Sequence, residues 1–199
     1  RMLREFNTSV NVGKPQVVYR ESIEKEIKAS STFDKEVAGQ HHFGEVVLKL
    51  KPLPRGTGNR FLSNITPETI PDVFVTAIEK GVMESFESGA LMGYPVVDVE
   101  AVLTGGSYKE SLGTELAYTV SASMACKEAL ANGRPYLLDP IMRVEVFVPE
   151  SFMGDVIGDL NSRNGKIEAA RMFGYSTDLR SATQGRGTFT MQFSHFDRS

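Results

Sequence analysis

Apolar and polar positions alternate over several short stretches, and each alternation predicts a strand with one buried face. Ile23, Lys25, Ile27 and Ala29 alternate with Glu24, Glu26 and Lys28. Val46, Leu48 and Leu50 alternate with Val47, Lys49 and Lys51, and Pro52 and Pro54 stop that run while Gly56 and Gly58 extend the turn. The stretch RFLSNI reads as a short strand, and Val97, Val99, Ala101 and Leu103 give another. Between the first two alternations, STFDKEVAGQHHFGE reads as a polar loop, and TGGSYKESLGT reads as a second one. Two segments switch to helical spacing. Phe74, Ile78, Val82 and Phe86 form one stripe, with Glu79, Lys80 and Glu87 outside and Gly89 as its stop. Gly81 interrupts that helix at a cost of about 1 kcal/mol relative to alanine, so packing must hold it. Leu116, Val120 and Met124 form the second predicted stripe, ending at Gly133 and Pro135.

Pro135 to Pro140 reads as a domain boundary, and a new pattern starts beyond it. Val144, Val146 and Val148 predict a strand. Pro149 suits the first turn of a helix with Phe152, Val156 and Leu160 on its apolar face and Gly165 at its close. A helix-like segment begins near Met172, and Thr188 to Phe193 predicts a last strand with Phe189, Met191 and Phe193 on one face. That order nearly matches the split β-α-β layout, β-α-β-β-α-β, with one strand missing. The gap from Gly165 to Met172 is too short for a hairpin, because each strand takes about five residues. Either a hairpin arm is absent or a loop has been left out and the numbering closed over it. The second reading is preferred and predicts a chain break near Glu168 to Ala170. Residues 1 to 20 read as a helix end followed by an extended strand, since Pro15 excludes helix and Val17 and Val18 favour strand. They read as the end of a preceding domain, and the chain as a piece of something longer.

Composition narrows the class without choosing a function. In 199 residues, 41% hydrophobic and 24% charged is the balance of a soluble globular protein. No apolar run is long enough to span a bilayer, and no signal-peptide core follows the start. Cys126, the single cysteine, excludes an internal disulfide, fits a small core position and suits a reducing compartment. A net charge of −3 gives no global attraction to nucleic acid, so any RNA contact must be local. There is no G-x-x-x-x-G-K-[ST] loop, and the Gly-Lys pairs in NVGKPQ and RNGKIE lack its spacing. His41 and His42 are neighbours whose side chains point apart in an extended loop, and His195 is distant, so a metal site is not expected. Asp155 and Asp159 share a helix face and read as solvated. Gly185-Arg186-Gly187 lies between a helix and a strand, the reverse of a dinucleotide fingerprint, and reads as a turn, as does Gly174.

Four blocks in colinear order carry a resemblance: REFNTSVNVGKPQVVYRE, GALMGYPVVDVEAVL, PIMRVEVFVPESFMGDVIGDLNSRNGKIE and MFGYSTDLRSATQGRGTFTMQF. Together they resemble the C-terminal half of bacterial elongation factor G, the translational GTPase that drives tRNA and mRNA movement on the ribosome. The resemblance implies an α+β chain. Residues 1–20 would be the end of the third domain and 21–138 a fourth domain similar to domain 2 of ribosomal protein S5. Residues 139–199 would form a fifth, ferredoxin-like (split β-α-β) domain. It implies no catalytic, cofactor or metal residue here, with GTP and Mg²⁺ held by the N-terminal half. The implied partner is the ribosome: rRNA, and the tRNA–mRNA pair at the decoding region. No membrane is implied, and the setting would be a cytoplasmic monomer.

In that family the tip of the fourth domain is built from two loops, which correspond here to Asp34 to Gly44 and Gly105 to Gly113. The RNA-contact candidates carried over are Gln40, His41, His42, Ser107, Tyr108 and Lys109, with Arg180 and Arg186 from the fifth domain facing large-subunit rRNA. Such polar tips bond RNA backbone and 2′-hydroxyls without reading sequence. The tip departs from the family pattern. AGQHHFG replaces a Gly/Arg-rich run, and Lys109 stands where histidine is usual, keeping a cationic charge but losing ring stacking. That departure leaves open a paralogue used in ribosome recycling or protection. A small-molecule enzyme on the same S5-like scaffold is the alternative from another class, and it would need a deep pocket of perturbed ionisable groups.

Overall fold

A computed structural model describes residues 18–167 and 188–198. The expectations for residues 1 to 17, the break near Glu168, the helix from Met172, and the roles of Gly174, Arg180, Gly185, Arg186 and Gly187 lie outside the described residues. The chain divides into a larger compact unit, residues 17–141 with 195–199, and a smaller one, residues 1–16 with 142–194.

The larger unit is built on a four-stranded sheet. Its strands are β2 (Ile27–Val37), β3 (Gln40–Pro52), β4 (Arg60–Ser63) and β5 (Val99–Ser107), in the order β2-β3-β5-β4. The β2–β3 and β3–β5 pairs are antiparallel, and β4 runs parallel to β5. Two helices, α1 (Asp72–Ser88) and α2 (Glu115–Asn132), pack with one face of the sheet around a core that includes Val46, Leu48, Leu50, Val99, Ala101, Leu103, Ile78, Val82, Phe86 and Cys126. The alternation of β3 and β5 sends every second side chain into that core, as a half-buried strand requires.

α1 buries Ile78, Val82 and Phe86, as its stripe predicts, and stops at Gly89 with φ 57°. Gly81 is a point of close approach between the two helices. A Cβ there would lie 2.4 Å from the Thr119 carbonyl oxygen. The glycine that weakens the helix locally is therefore what lets α2 approach.

α2 corrects the sequence reading. Leu116 and Met124 are exposed, 46% and 52%, and the helix buries Ala117, Tyr118, Ser121, Ala122, Ala125, Cys126, Ala129 and Leu130 instead. Small side chains let a helix lie close to its neighbours, so a face of alanine and serine wins over one with larger residues that fit the contact poorly.

The expected polar loop at 31–45 is also corrected. β2 and β3 pair without interruption out to Val37 opposite Gln40. Ala38 and Gly39 alone make the turn, at φ 52° and 81°. Two successive positive φ values match the twist of a two-residue hairpin. The strands look like loop in sequence because Asp34 to Gln40 is exposed on both faces, so burial imposes no alternation. The second expected loop is strand through Ser107.

β1 (Arg20–Ile23) pairs antiparallel with the start of β6 (Pro135–Phe147), and the order β1-β6-β7 is completed by β7 (Thr188–Arg198). β6 runs unbroken through the segment read as a boundary, and the division of units falls inside it, between Ile141 and Met142. Its prolines fit because Pro135 is the first residue of the strand and Pro140 lies beyond the residues paired with β1. At the end of β7, Arg198 pairs with Glu24 and lies 4.4 Å from the Tyr136 ring.

Within the smaller unit, α3 (Glu150–Ser162) follows Pro149 directly and buries Val156. Asp159 is ion-paired to Arg163 at 2.9 Å, one helical turn on. β7 extends past the expected end at Phe193, to Arg198.

Candidate nucleic-acid interface

The β2–β3 hairpin ends in Ala38-Gly39, and the segment from Tyr108 to Thr114, between β5 and α2, lies beside its outer part. Backbone contacts join and shape them. The Phe43 N–H donates to the Leu112 carbonyl at 2.8 Å, Phe43 forms an isolated parallel bridge with Gly113, and the Leu112 and Gly113 N–H groups close a turn on the Lys109 carbonyl at 3.2 and 3.0 Å. The connecting segment is therefore a turn pinned to the hairpin at Phe43.

Below it the packing is aromatic. The Phe74 ring stacks on Tyr118 at 4.8 Å and meets Tyr108 at 5.8 Å, so three rings lead from the core towards the tip. Gly113 makes room for the outermost ring, since a Cβ there would lie 2.5 Å from Tyr108 Cε2. The Tyr118 hydroxyl donates to the Ser107 carbonyl at 2.8 Å. Burial, helped by the neighbouring Tyr108 and Glu45, pushes the Tyr118 phenol up to about 12, so it remains a neutral donor at physiological pH. Gly44 lies against the first turn of α2, where a Cβ would sit 3.0 Å from backbone atoms of Ala117 and Tyr118. Ser121 Oγ donates to the Gly44 carbonyl at 2.6 Å.

The six candidate residues at the tip divide into different roles. Gln40 and His41 are exposed at the hairpin end, and His41 Nε2 is paired with Asp34 Oδ1 across the hairpin. Tyr108 and Lys109 are exposed, and Ser107 is half-buried at the end of β5. His42 is buried at 9% exposure. Its Nδ1 lies 2.7 Å from Thr114 Oγ1, the same hydroxyl oxygen that caps α2 by accepting from the Ala117 N–H at 3.2 Å. His42 thus links the hairpin to the start of α2 and presents no free ring, because alternation along β3 turns it to the helix side while His41 and Phe43 face the other way.

Sequence reasoning passed over Thr114, Tyr118 and Phe43, and placed Phe74 only on the apolar stripe of its helix. Thr114 carried a readable signal, a threonine immediately before a helical run. The aromatic contacts join residues far apart in the chain and carried none.

A second feature at the base of the same unit also had no sequence signal. Glu21 is 1% exposed, and its carboxylate accepts four backbone N–H bonds: from Ala90 and Leu91 at 3.0 and 2.7 Å on Oε1, and from Met92 and Tyr94 at 3.1 and 2.7 Å on Oε2. Asp98, 3% exposed, likewise anchors Arg55 at 2.9 Å and the Gly58 N–H at 2.8 Å. Burial works against the Arg55 charge, but its bonds to Tyr136 and Asp98 outweigh that and raise its pKa. Both carboxylates are spent on structure. Among the described residues no group of three or more His, Cys, Asp or Glu is placed to hold a metal ion, and no helix is long and apolar enough to cross a membrane.

Comparison with known proteins places this geometry. The family described as elongation factor G, domain IV, matches residues 15–134. The family described as elongation factor G C-terminus matches residues 136–171 and 168–199, in two pieces. The crystal structure of a protein from Thermus thermophilus is similar over 93% of this chain, with a TM-score of 0.80 and 33% sequence identity. The chain spans 30% of that protein's length. The fold class is α+β, an S5 domain 2-like domain followed by a ferredoxin-like one. The chain belongs to the elongation factor G family and carries its domain IV and C-terminal region.

Proposed function

We propose that this chain is the ribosome-engaging part of a translational GTPase. Its hairpin tip enters the decoding region and supports movement of tRNA and mRNA, with rRNA as a further contact. The observation that carries the reading is the construction of the tip. A two-residue hairpin is braced by the segment at 108–114, by the His42–Thr114 bond and by the Phe74 ring stack, so polar groups stand on a stiff support. A stiff polar projection transmits force and excludes a returning ligand through shape, and no bond-making chemistry is asked of these residues. GTP and Mg²⁺ would be handled by another part of the protein, and the setting would be the cytoplasm.

The test uses the intact parent factor in a single-round translocation assay. Replacing Gln40, His41, Ser107 and Lys109 together by alanine should slow mRNA movement at least tenfold while ribosome-stimulated GTP hydrolysis persists. Unchanged movement would overturn the reading.

A second reading, a recycling or protection paralogue, is favoured by the charge of the tip. Asp34, Glu36 and Glu110 outnumber Lys35 and Lys109 across residues 34–44 and 105–113. A tip with this balance gains little long-range attraction from phosphates. Subunit-splitting and translocation assays on the same intact protein separate the two.

A further inference from the structure

The hairpin tip carries two lysines, and each lies over a phenylalanine ring. Lys35 Nζ is 6.0 Å from the Phe33 centroid, at the outer limit of such a contact, while Lys109 Nζ is 4.3 Å from that of Phe43. Phe43 is 5% exposed and belongs to a strand. The backbone beneath the closer pair is tied at both ends. Phe43 N–H bonds to Leu112, and the Lys109 carbonyl accepts from Leu112 and Gly113. No carboxylate is ion-paired to Lys109 among the described residues, whereas the neighbouring Asp34 is engaged by His41. A lysine stem ordinarily loses much rotamer freedom when it binds a ligand. Here the ring face and the closed turn have restricted it beforehand, and preorganisation of this kind raises affinity without a new contact.

We propose that Lys109 is the tip's phosphate-contacting cation and that Phe43 is its positioning residue, the ring face holding the ammonium ready for an RNA backbone. This rests on the RNA-facing reading of the tip given above. To Lys109 as a contact it adds the chemical group recognised and the residue that presents the ammonium. The surrounding carboxylates limit the tip to about one such contact, so recognition is local and weakly dependent on salt.

The experiment measures binding of the intact parent factor to ribosomes across a salt series, for wild type, K109M, K109R, F43L, F43Y and the K109M/F43L pair. K109M should lower the slope of log affinity against log salt by about one, the value of one phosphate contact, and K109R should restore it. F43L keeps most of the apolar volume and loses the ring, so affinity should fall several-fold with the slope nearly unchanged, and F43Y should recover it. In the K109M background F43L should cost little more, since the two act as one unit. In the isolated chain, the Lys109 ε-CH₂ proton signals should be shifted upfield by the ring and move back in F43L. An unchanged slope in K109M, or an F43L loss of equal size with and without Lys109, would overturn the proposal while leaving ribosome engagement intact. Absence of ribosome binding by the wild-type parent at every salt concentration would overturn both.

Discussion

Single residues in this protein act through what their atoms meet across the fold, and the sign of a substitution follows from that. Gly81→Ala on an isolated helix would stabilise by about 1 kcal/mol. Here the new Cβ would lie 2.4 Å from a backbone oxygen, so the expected result is a loss of about 1–3 kcal/mol in urea unfolding. Glu21→Gln leaves the shape intact but sets an amide NH₂ against two of the four backbone donors that the carboxylate satisfies. Two N–H groups turned against a donor, at part-buried bonds, should cost about 2 kcal/mol, read from the same unfolding curves. Tyr118 sets an alkaline limit. Its folded value, about 12, lies above its ordinary 10.0, so the folded state holds the phenol proton more tightly. That contribution is complete below pH 10 and is lost as pH rises from 10 towards 12. Cys126, pushed up from 9.0 to about 12 by burial that outweighs its Ser85 hydrogen bond and nearby Lys127, adds a loss of the same sign. Tyr118→Phe should cost about 1 kcal/mol at neutral pH through the lost Ser107 bond and flatten the decline above pH 10.

At the scale of elements, the hairpin shows how far pattern carries. The β3 alternation from Val46 to Leu50 was legible because one face is buried there. Its outer half was read as loop because neither face is buried beyond His42 and no period remains. What closes it is Ala38-Gly39, and alanine at φ 52° is a compromise. Ala38→Asn should stabilise by about 0.5–1 kcal/mol, since asparagine tolerates that conformation and Asn-Gly is the preferred pair in such turns. Slower amide exchange in the outer hairpin would check it. α2 shows the opposite error. Its larger apolar residues suggested a face, yet Leu116 and Met124 are exposed and the alanine face is buried, because the partner helix presents Gly81 and Ser85 and demands close approach.

For the whole molecule, the division into units does not follow the order of the chain. Residues 195–199 belong with 17–141 although most of β7 does not. Arg198 binds that end to the larger unit through Glu24 and Tyr136. Arg198→Ala should lower the stability of that unit by about 0.5–1 kcal/mol, measured as a shift in its melting transition. Of the candidate site, Gln40, His41, Tyr108 and Lys109 were carried over by resemblance and are exposed on the tip. His42 came with them but is buried against Thr114, a matter of strand register that a neighbouring pair of histidines does not reveal.

Local periodicity and punctuation were enough to determine the strand from Val46, the helix at Phe74 to Phe86, the stop at Gly89 and the helix after Pro149, since each depends on neighbours within a few residues. Four colinear blocks also determined the family. Only the tertiary structure decided which face of α2 is buried, that the polar stretch is a hairpin, that Glu21 closes a nest of amides and that Phe43 seats Lys109. Those outcomes depend on surfaces brought together from distant parts of the chain, and the energy of such contacts is set by distance in space, which no local pattern encodes.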